Sequence, residues 1–357
     1  MRRLFLTILC VGLAAPAGAM DYKAPVERII SDYIRPATAD FSAASKKLPA
    51  AATDICLEPD GQAVASFQSA YSQTIEAFAR VHFLRFGPLL DQDRVSRLAF
   101  MPDTRGIAMR QIRKVFVDKD ASVLSTESLE KKSVAVQGLT ALQLIAFDKT
   151  GALTLGQASD TKEFVCGYAL AISENVAEIA AGLDQDWTDE AGYSALLLSA
   201  GPDNHRFRSE REALETIFNA LSTGLIVARD QNLLPVLGSS EKKAKPKRIP
   251  FSRSGNGILF LSSELKGLEQ ALNRMQLKAM VAFEHEWLFD TAGFEFKNAQ
   301  NMLAQLEAPI RQTFSDNNSY SKLAVLAITL QSLRKLVSPE IAGALGLTGG
   351  FNALDGD

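Results

Sequence analysis

Apolar side chains in this chain recur every three or four residues, and almost nowhere do they alternate. That spacing belongs to an amphipathic helix, whereas a half-buried strand changes face at every residue. Residues 62–86 carry Val64, Phe67, Ala70, Tyr71, Ile75, Phe78 and Val81 in this pattern. Residues 161–187 place Phe164, Tyr168, Ile172, Val176, Ile179 and Leu183 on one stripe. Similar patterns cover 125–147, 210–229, 259–283, 286–314 and 319–336. Ser125-Thr126-Glu127-Ser128 opens the 125–147 pattern, with Glu127 and Glu130 favourable in a first helical turn. A one-sided apolar stripe must be buried against another element, and no run of short strands competes for that role. The chain therefore reads as all-α, with long helices packed in bundles.

The first nineteen residues stand apart from this pattern. Arg2 and Arg3 precede a short apolar core at 4–13, and Ala17-Gly18-Ala19 has the small residues of a cleavage site. This reads as a signal peptide cleaved near Ala19, too short to span a bilayer as a stable helix. Leu9 before Cys10 does not match the small residue that precedes a lipid-modified cysteine. No later stretch reaches about 18 consecutive apolar residues, so no transmembrane segment is expected.

The remaining chain of about 338 residues is long enough for two domains or one large one. Trp187 closes one helical pattern, and Gly192, Gly201 and Pro202 punctuate the residues after it. This divides the chain into an N-terminal bundle at 20–200 and a C-terminal bundle at 201–357. Removing Arg2 and Arg3 leaves 36 basic against 41 acidic side chains, a net charge near −5. Such mild acidity gives no electrostatic reason to expect nucleic acid as a partner. Two cysteines remain, Cys56 and Cys166. An exported compartment and an even count favour a disulfide over two separate buried thiols.

Residues 87–105 and 233–257 are the longest irregular pieces. The second holds Glu241-Lys242-Lys243-Ala244-Lys245-Pro246-Lys247-Arg248, read most simply as a solvated basic loop, the alternative being contact with an anion or a membrane surface. The three histidines, His82, His205 and His285, show no zinc-motif spacing, and no HExxH, CxxC or EF-hand pattern is present. Phe251-Ser252-Arg253-Ser254-Gly255-Asn256-Gly257 has turn chemistry without the strand-to-helix setting of a nucleophile elbow. Arg85 and Arg105 lie within reach in sequence of Asp91, Asp93 and Asp103, as a helix-end charge network or as the wall of a polar pocket.

One stretch is chemically odd. VQGLTALQLIAFD, residues 136–148, is mostly apolar but carries Thr140 and Gln143 three residues apart, hence on one helical face. Gly138, just before them, permits close approach of another backbone. Thr and Gln are neutral and tolerate burial if hydrogen-bonded. They are poor metal ligands beside His and Glu, and neither titrates near neutral pH to serve as a base.

Together with Arg85-Phe86-Gly87-Pro88, Pro102-Asp103-Thr104-Arg105-Gly106, Trp187, Leu234-Pro235 and the ending at 350–357, this stretch resembles the imelysin-like proteins, a periplasmic family named after a metallopeptidase and linked to bacterial iron uptake. The resemblance covers nearly the whole mature chain. The family's Gly-x-His-x-x-Glu motif falls on Gly138, Thr140 and Gln143, so the glycine is kept while Thr and Gln stand where the family has His and Glu. The resemblance implies two helical-bundle domains with a functional cleft between them. The departure removes the motif's metal-capable pair.

The expected function is that of a periplasmic binding or accessory protein, non-proteolytic, in iron or other metal acquisition. Its ligand, a metal or an anionic metal chelate, is expected in a cleft walled by Gly138, Thr140, Gln143, Arg85, Asp103, Arg105 and Arg253, since arginines favour anions. Envelope uptake proteins are the expected protein partners. Two alternatives remain: a cell-envelope interaction scaffold without a small-molecule site, and a metallopeptidase whose ligands come from elsewhere.

Overall fold

The computed structural model describes residues 20–306 and 317–348. The expected signal peptide at 1–19, the last residues of the 286–314 pattern and the ending at 350–357 lie outside them. No strand occurs among the described residues, and their one bridge-like pairing joins Phe147 to Leu153.

The chain opens with helices that hydrophobic period does not single out: α1 (Lys23–Ile29), a π-helical turn (Ile30–Ile34), α2 (Arg35–Ser45) and α3 (Leu48–Leu57). Helix α4 (Gly61–Val81) begins where the Asp60 side chain accepts from Ala63 N at 2.7 Å, a side-chain N-cap. The short α5 (Arg94–Leu98) and α6 (Ile107–Asp118) lead to α7 (Thr126–Leu129) and α8 (Gly138–Ala146). Helix α9 (Lys162–Thr188) buries Tyr168, Ile172, Val176, Ile179, Leu183 and Trp187 along the expected stripe. Then come α10 (Tyr193–Leu198) and α11 (Glu210–Ile226), where Ser209 accepts from Glu212 N and the Glu212 carboxylate accepts from Arg208 N. A second π-helical segment (Val227–Leu233) joins α11 to α12 (Leu234–Leu237). Then follow α13 (Gly257–Arg274), α14 (Trp287–Ala304) and α15 (Asn317–Lys335), and a third π-helical segment (Leu336–Ile341) runs into a final short helix at Ala342–Ala344.

Helices α2, α3, α4 and α9 pack together, with α8 laid on α9. A second group forms from α11, α13, α14 and α15. Helix α13 runs against α4, and α1 packs on α11 and α13, so one apolar core continues through both groups. Helix α9 with its extension to Leu198 is long and apolar enough to cross a membrane by length and composition. Half of its most apolar 18-residue window is buried in the protein, and α9 meets α2, α3 and α8, as a core helix does. Cys56 at the end of α3 and Cys166 at the start of α9 are joined by a disulfide.

Several expected helices differ in extent, and three of them show why. The 125–147 pattern is not one helix but α7, a 3-10 turn (Val134–Val136) and α8. Ser133 caps the turn through Ala135 N at 3.3 Å, and Gly138 has φ +75°, a left-handed conformation that interrupts helical propagation. The 259–283 pattern stops at Arg274, where Arg28 donates to the Met275 carbonyl from Nε and Nη2 at 3.1 and 3.0 Å and Gln276 turns left-handed. The 210–229 pattern widens into its π segment just before Pro235. Proline lacks the N–H of a regular turn and its ring crowds the carbonyl four residues back, which a wider turn relieves.

Candidate functional site

The start of α8 is fixed by buried hydrogen bonds. Gln137, fully buried, donates from Nε2 to Lys132 O at 2.9 Å. Its Oε1 accepts from Asn175 Nδ2 at 2.9 Å and from Arg97 Nε at 3.3 Å. Tyr71 of α4 donates its hydroxyl hydrogen to Leu139 O at 2.7 Å. At the other end of α8, Arg253 Nη1 donates to Leu144 O and Phe147 O, both at 3.2 Å, satisfying carbonyls that the helix leaves open. Helix α8 is thus held at both ends by partners distant in sequence.

Its Thr140 and Gln143 face a cavity of about 420 Å³. Four stretches wall this cavity: 100–109, 140–144, 231–235 and 247–253. Phe100, Met101, Met109, Leu144 and Phe251 give it an apolar body, while Thr140, Gln143, Asp103, Asn232, Lys247, Arg248 and Arg253 bring polar groups. Thr140 Oγ1 accepts from Phe100 N at 3.0 Å, pinning the first wall to the second. Gln143 is only 9 % exposed, and its Oε1 is sealed from water with no hydrogen-bond partner. A buried polar atom in this state costs stability.

The seven residues expected at the site therefore divide. Thr140, Gln143, Asp103 and Arg253 come together on the cavity wall. Gly138 lies off it, packed against the carbonyls of Arg97 and Leu98. Arg105 is exposed and off the wall. Arg85 is also off the wall: it does not pair with Asp91, Asp93 or Asp103 but places Nη2 at 2.7 Å from His82 Nε2. Asp103 is occupied by backbone, its Oδ1 accepting from Ile107 N at 2.8 Å and its Oδ2 from Ala108 N at 2.9 Å at the start of α6. Asp103→Ala is expected to lower unfolding free energy by about 1–2 kcal/mol, the usual loss for a helix cap, measured by urea unfolding.

Three contributors were not legible beforehand. Lys247 and Arg248, read as part of a solvated loop, also stand at the cavity, because Lys245 N donates to Val236 O at 2.7 Å and folds the loop back on α12. Both are exposed, with no ion-pair partner among the described residues. The third is a buried network behind the cavity. His82 Nδ1 lies 3.1 Å from Glu264 Oε1, and Asn232 Nδ2 donates to Glu264 Oε2 at 3.0 Å. His82, Glu264 and Asn232 are all almost completely buried, and Asn232 reaches the cavity. Burial and then the Arg85 charge push the His82 pKa below its usual value, against the opposing pull of Glu264. One signal for the network was readable: Glu264 interrupts the apolar face formed by Phe260, Leu261, Leu265 and Leu268.

The imelysin family profile matches residues 33–338. The chain belongs to the imelysin family. Two solved structures share its fold. One is an imelysin-like protein from Psychrobacter arcticum 273-4, with a TM-score of 0.77 and 19% identity, covering 93% of this chain and 99% of that one. The other is a "putative iron-regulated protein A precursor" from Parabacteroides distasonis ATCC 8503, with a TM-score of 0.68 and 12% identity, covering 90% of this chain and 96% of that one. None of the curated proteins matches the chain by sequence. Within the imelysin fold the α8 cavity carries Thr140 and Gln143, a hydrogen-bonding pair. Among the described residues, no group of three or more His, Cys, Asp or Glu is placed to hold a metal ion.

Proposed function

We propose that this imelysin-family protein is a periplasmic binding or accessory protein of iron or other metal acquisition, which takes an anionic ligand into the α8 cavity without cleaving it. The observation that carries this reading is the cavity wall itself, which holds Lys247 and Arg248 together with Gln143, whose Oε1 has no partner. Cations beside a partly apolar cavity select carboxylates, phosphates or an anionic metal chelate. The iron-regulated name of one structural neighbour and the export signal read at 1–19 agree with a role in metal uptake at the envelope.

A thermal-shift screen with ferrous and ferric iron, copper, zinc and carboxylate chelates tests this reading. A ligand present at about 100 times its dissociation constant adds about 2.7 kcal/mol of stability if it binds only the folded state. The shift is expected for anionic chelates or free carboxylates and is expected to vanish in the Lys247→Glu, Arg248→Glu double variant. No shift with any probe would sink the reading in favour of an envelope interaction scaffold. One observation favours that second reading: Phe283, Trp287 and Phe294 are exposed at helical spacing in and just before α14.

A further inference from the structure

The direction of every hydrogen bond in the network behind the cavity is set by chemistry. The Arg85 guanidinium has donors only, so its contact with His82 makes Nε2 the acceptor. The proton of the neutral ring then sits on Nδ1 and is donated to Glu264 Oε1. Glu264 accepts there and accepts again at Oε2 from Asn232 Nδ2. A carboxylate accepting at both oxygens has nothing to donate, so the Asn232 amide cannot turn round. Its Oδ1 is directed away from Glu264 and accepts from no described residue. It is also absent from the sealed, unpartnered atoms of the interior, and the residue that carries it lines the cavity.

We infer that Asn232 is a specificity-determining residue that presents a fixed carbonyl acceptor to the cavity, and that the ligand is an anion bearing its own O–H or N–H donor, a hydroxy- or amino-carboxylate. The inference rests on the anion-binding reading above. Lys247 and Arg248 select the charge, and Asn232 selects the donor. Gln143 does not decide between donor and acceptor, because its Oε1 has no partner that fixes which way the amide faces. Asn232 can turn only if Glu264 changes.

The test compares acids with and without a donor. Citrate and tricarballylate carry the same three carboxylates, with and without a hydroxyl; aspartate and succinate carry the same two, with and without an ammonium group, whose charge works against binding beside Lys247 and Arg248. Dissociation constants are measured by calorimetry in chelator-washed buffer, so that the metal affinity of citrate plays no part. The donor-bearing acid of at least one pair is expected to bind about tenfold tighter, since its partner covers the Asn232 carbonyl without satisfying it. Which pair discriminates tells hydroxyl from amino recognition. Glu264→Gln is nearly isosteric and lets the new amide donate to Asn232 Oδ1, turning the Asn232 NH₂ toward the cavity. In that variant the preference is expected to fall below about twofold. Equal binding within both pairs overturns the inference and leaves the anion-binding reading intact. Binding of none of the four acids overturns both. A donor preference that survives in folded Glu264→Gln overturns the role assigned to Asn232, and the wild-type comparison stands as the test should that variant not fold.

Discussion

Replacing Cys56 and Cys166 by alanine lowers the unfolding free energy by about 4–5 kcal/mol, the chain-entropy value for cross-linking residues 110 apart. The disulfide joins the end of α3 to the first turns of α9, and the ring it closes contains α4 to α8. It therefore encloses two of the cavity walls, at 100–109 and 140–144. Without the bond, the unfolded chain regains the freedom of that whole loop, while the folded state loses little beyond the bridge. The effect belongs to the closed loop rather than to either side chain. Single variants Cys56→Ala and Cys166→Ala are thus expected to lose nearly as much as the double variant, and reducing agent is expected to add nothing to any of them. Urea unfolding with and without reductant checks both points. A loss below about 1 kcal/mol in the double variant would mean that the unfolded chain stays compact around these helices.

Gly138→Ala is the second large effect. Gly138 sits at φ +75°, and a Cβ added there would lie 2.1 Å from Arg97 O and 2.4 Å from Leu98 O. Both are backbone atoms, so no side-chain rotation makes room. The left-handed conformation costs a non-glycine residue about 1–2 kcal/mol, and overpacking against a rigid neighbour typically about 1–3 more, for an expected loss of about 2–5 kcal/mol. Gly106 supplies the control, with φ +64° and open space where its Cβ would be. Gly106→Ala is expected to show only the backbone part, about 1–2 kcal/mol. Relief of the clash at Gly138 has to move α8 away from α5. That motion draws Thr140 from Phe100 N and shifts Gln143 in the cavity wall. Any ligand-induced thermal shift should weaken in Gly138→Ala.

The glycine of the family motif thus has a structural task that survives the change of its two companions. Thr140 and Gln143 illustrate the same division. Their shared helical face followed from a spacing of three residues and needed no coordinates. That Thr140 is satisfied by Phe100 N while Gln143 Oε1 has no partner was invisible, because both facts depend on a segment forty residues away and on the shape of the cavity. Arg85 shows how sequence proximity misleads. It lies near several aspartates in the chain yet turns inward to His82, where α4 meets α13. The basic loop is solvated, as its run of lysines suggests, and only the backbone bond from Lys245 to Val236 brings Lys247 and Arg248 to the cavity.

Sequence by itself determined the all-α class, the stripes of α4 and α9, the paired cysteines and the family. These are properties of residue type and short-range spacing, and a helix expresses both within a few turns. The helix start read at Ser125, by contrast, forms without a side-chain cap bond. The tertiary structure alone decided where helices stop, as at Gly138 and Met275, and which polar groups meet. The α8 cavity draws its walls from segments more than a hundred residues apart, and the polarity of Asn232 is set through Glu264, His82 and Arg85 by contacts between different helices. Periodicity says that a stripe must be buried, but not against which partner. The direction of a hydrogen bond follows only once the donor that starts the chain has been placed.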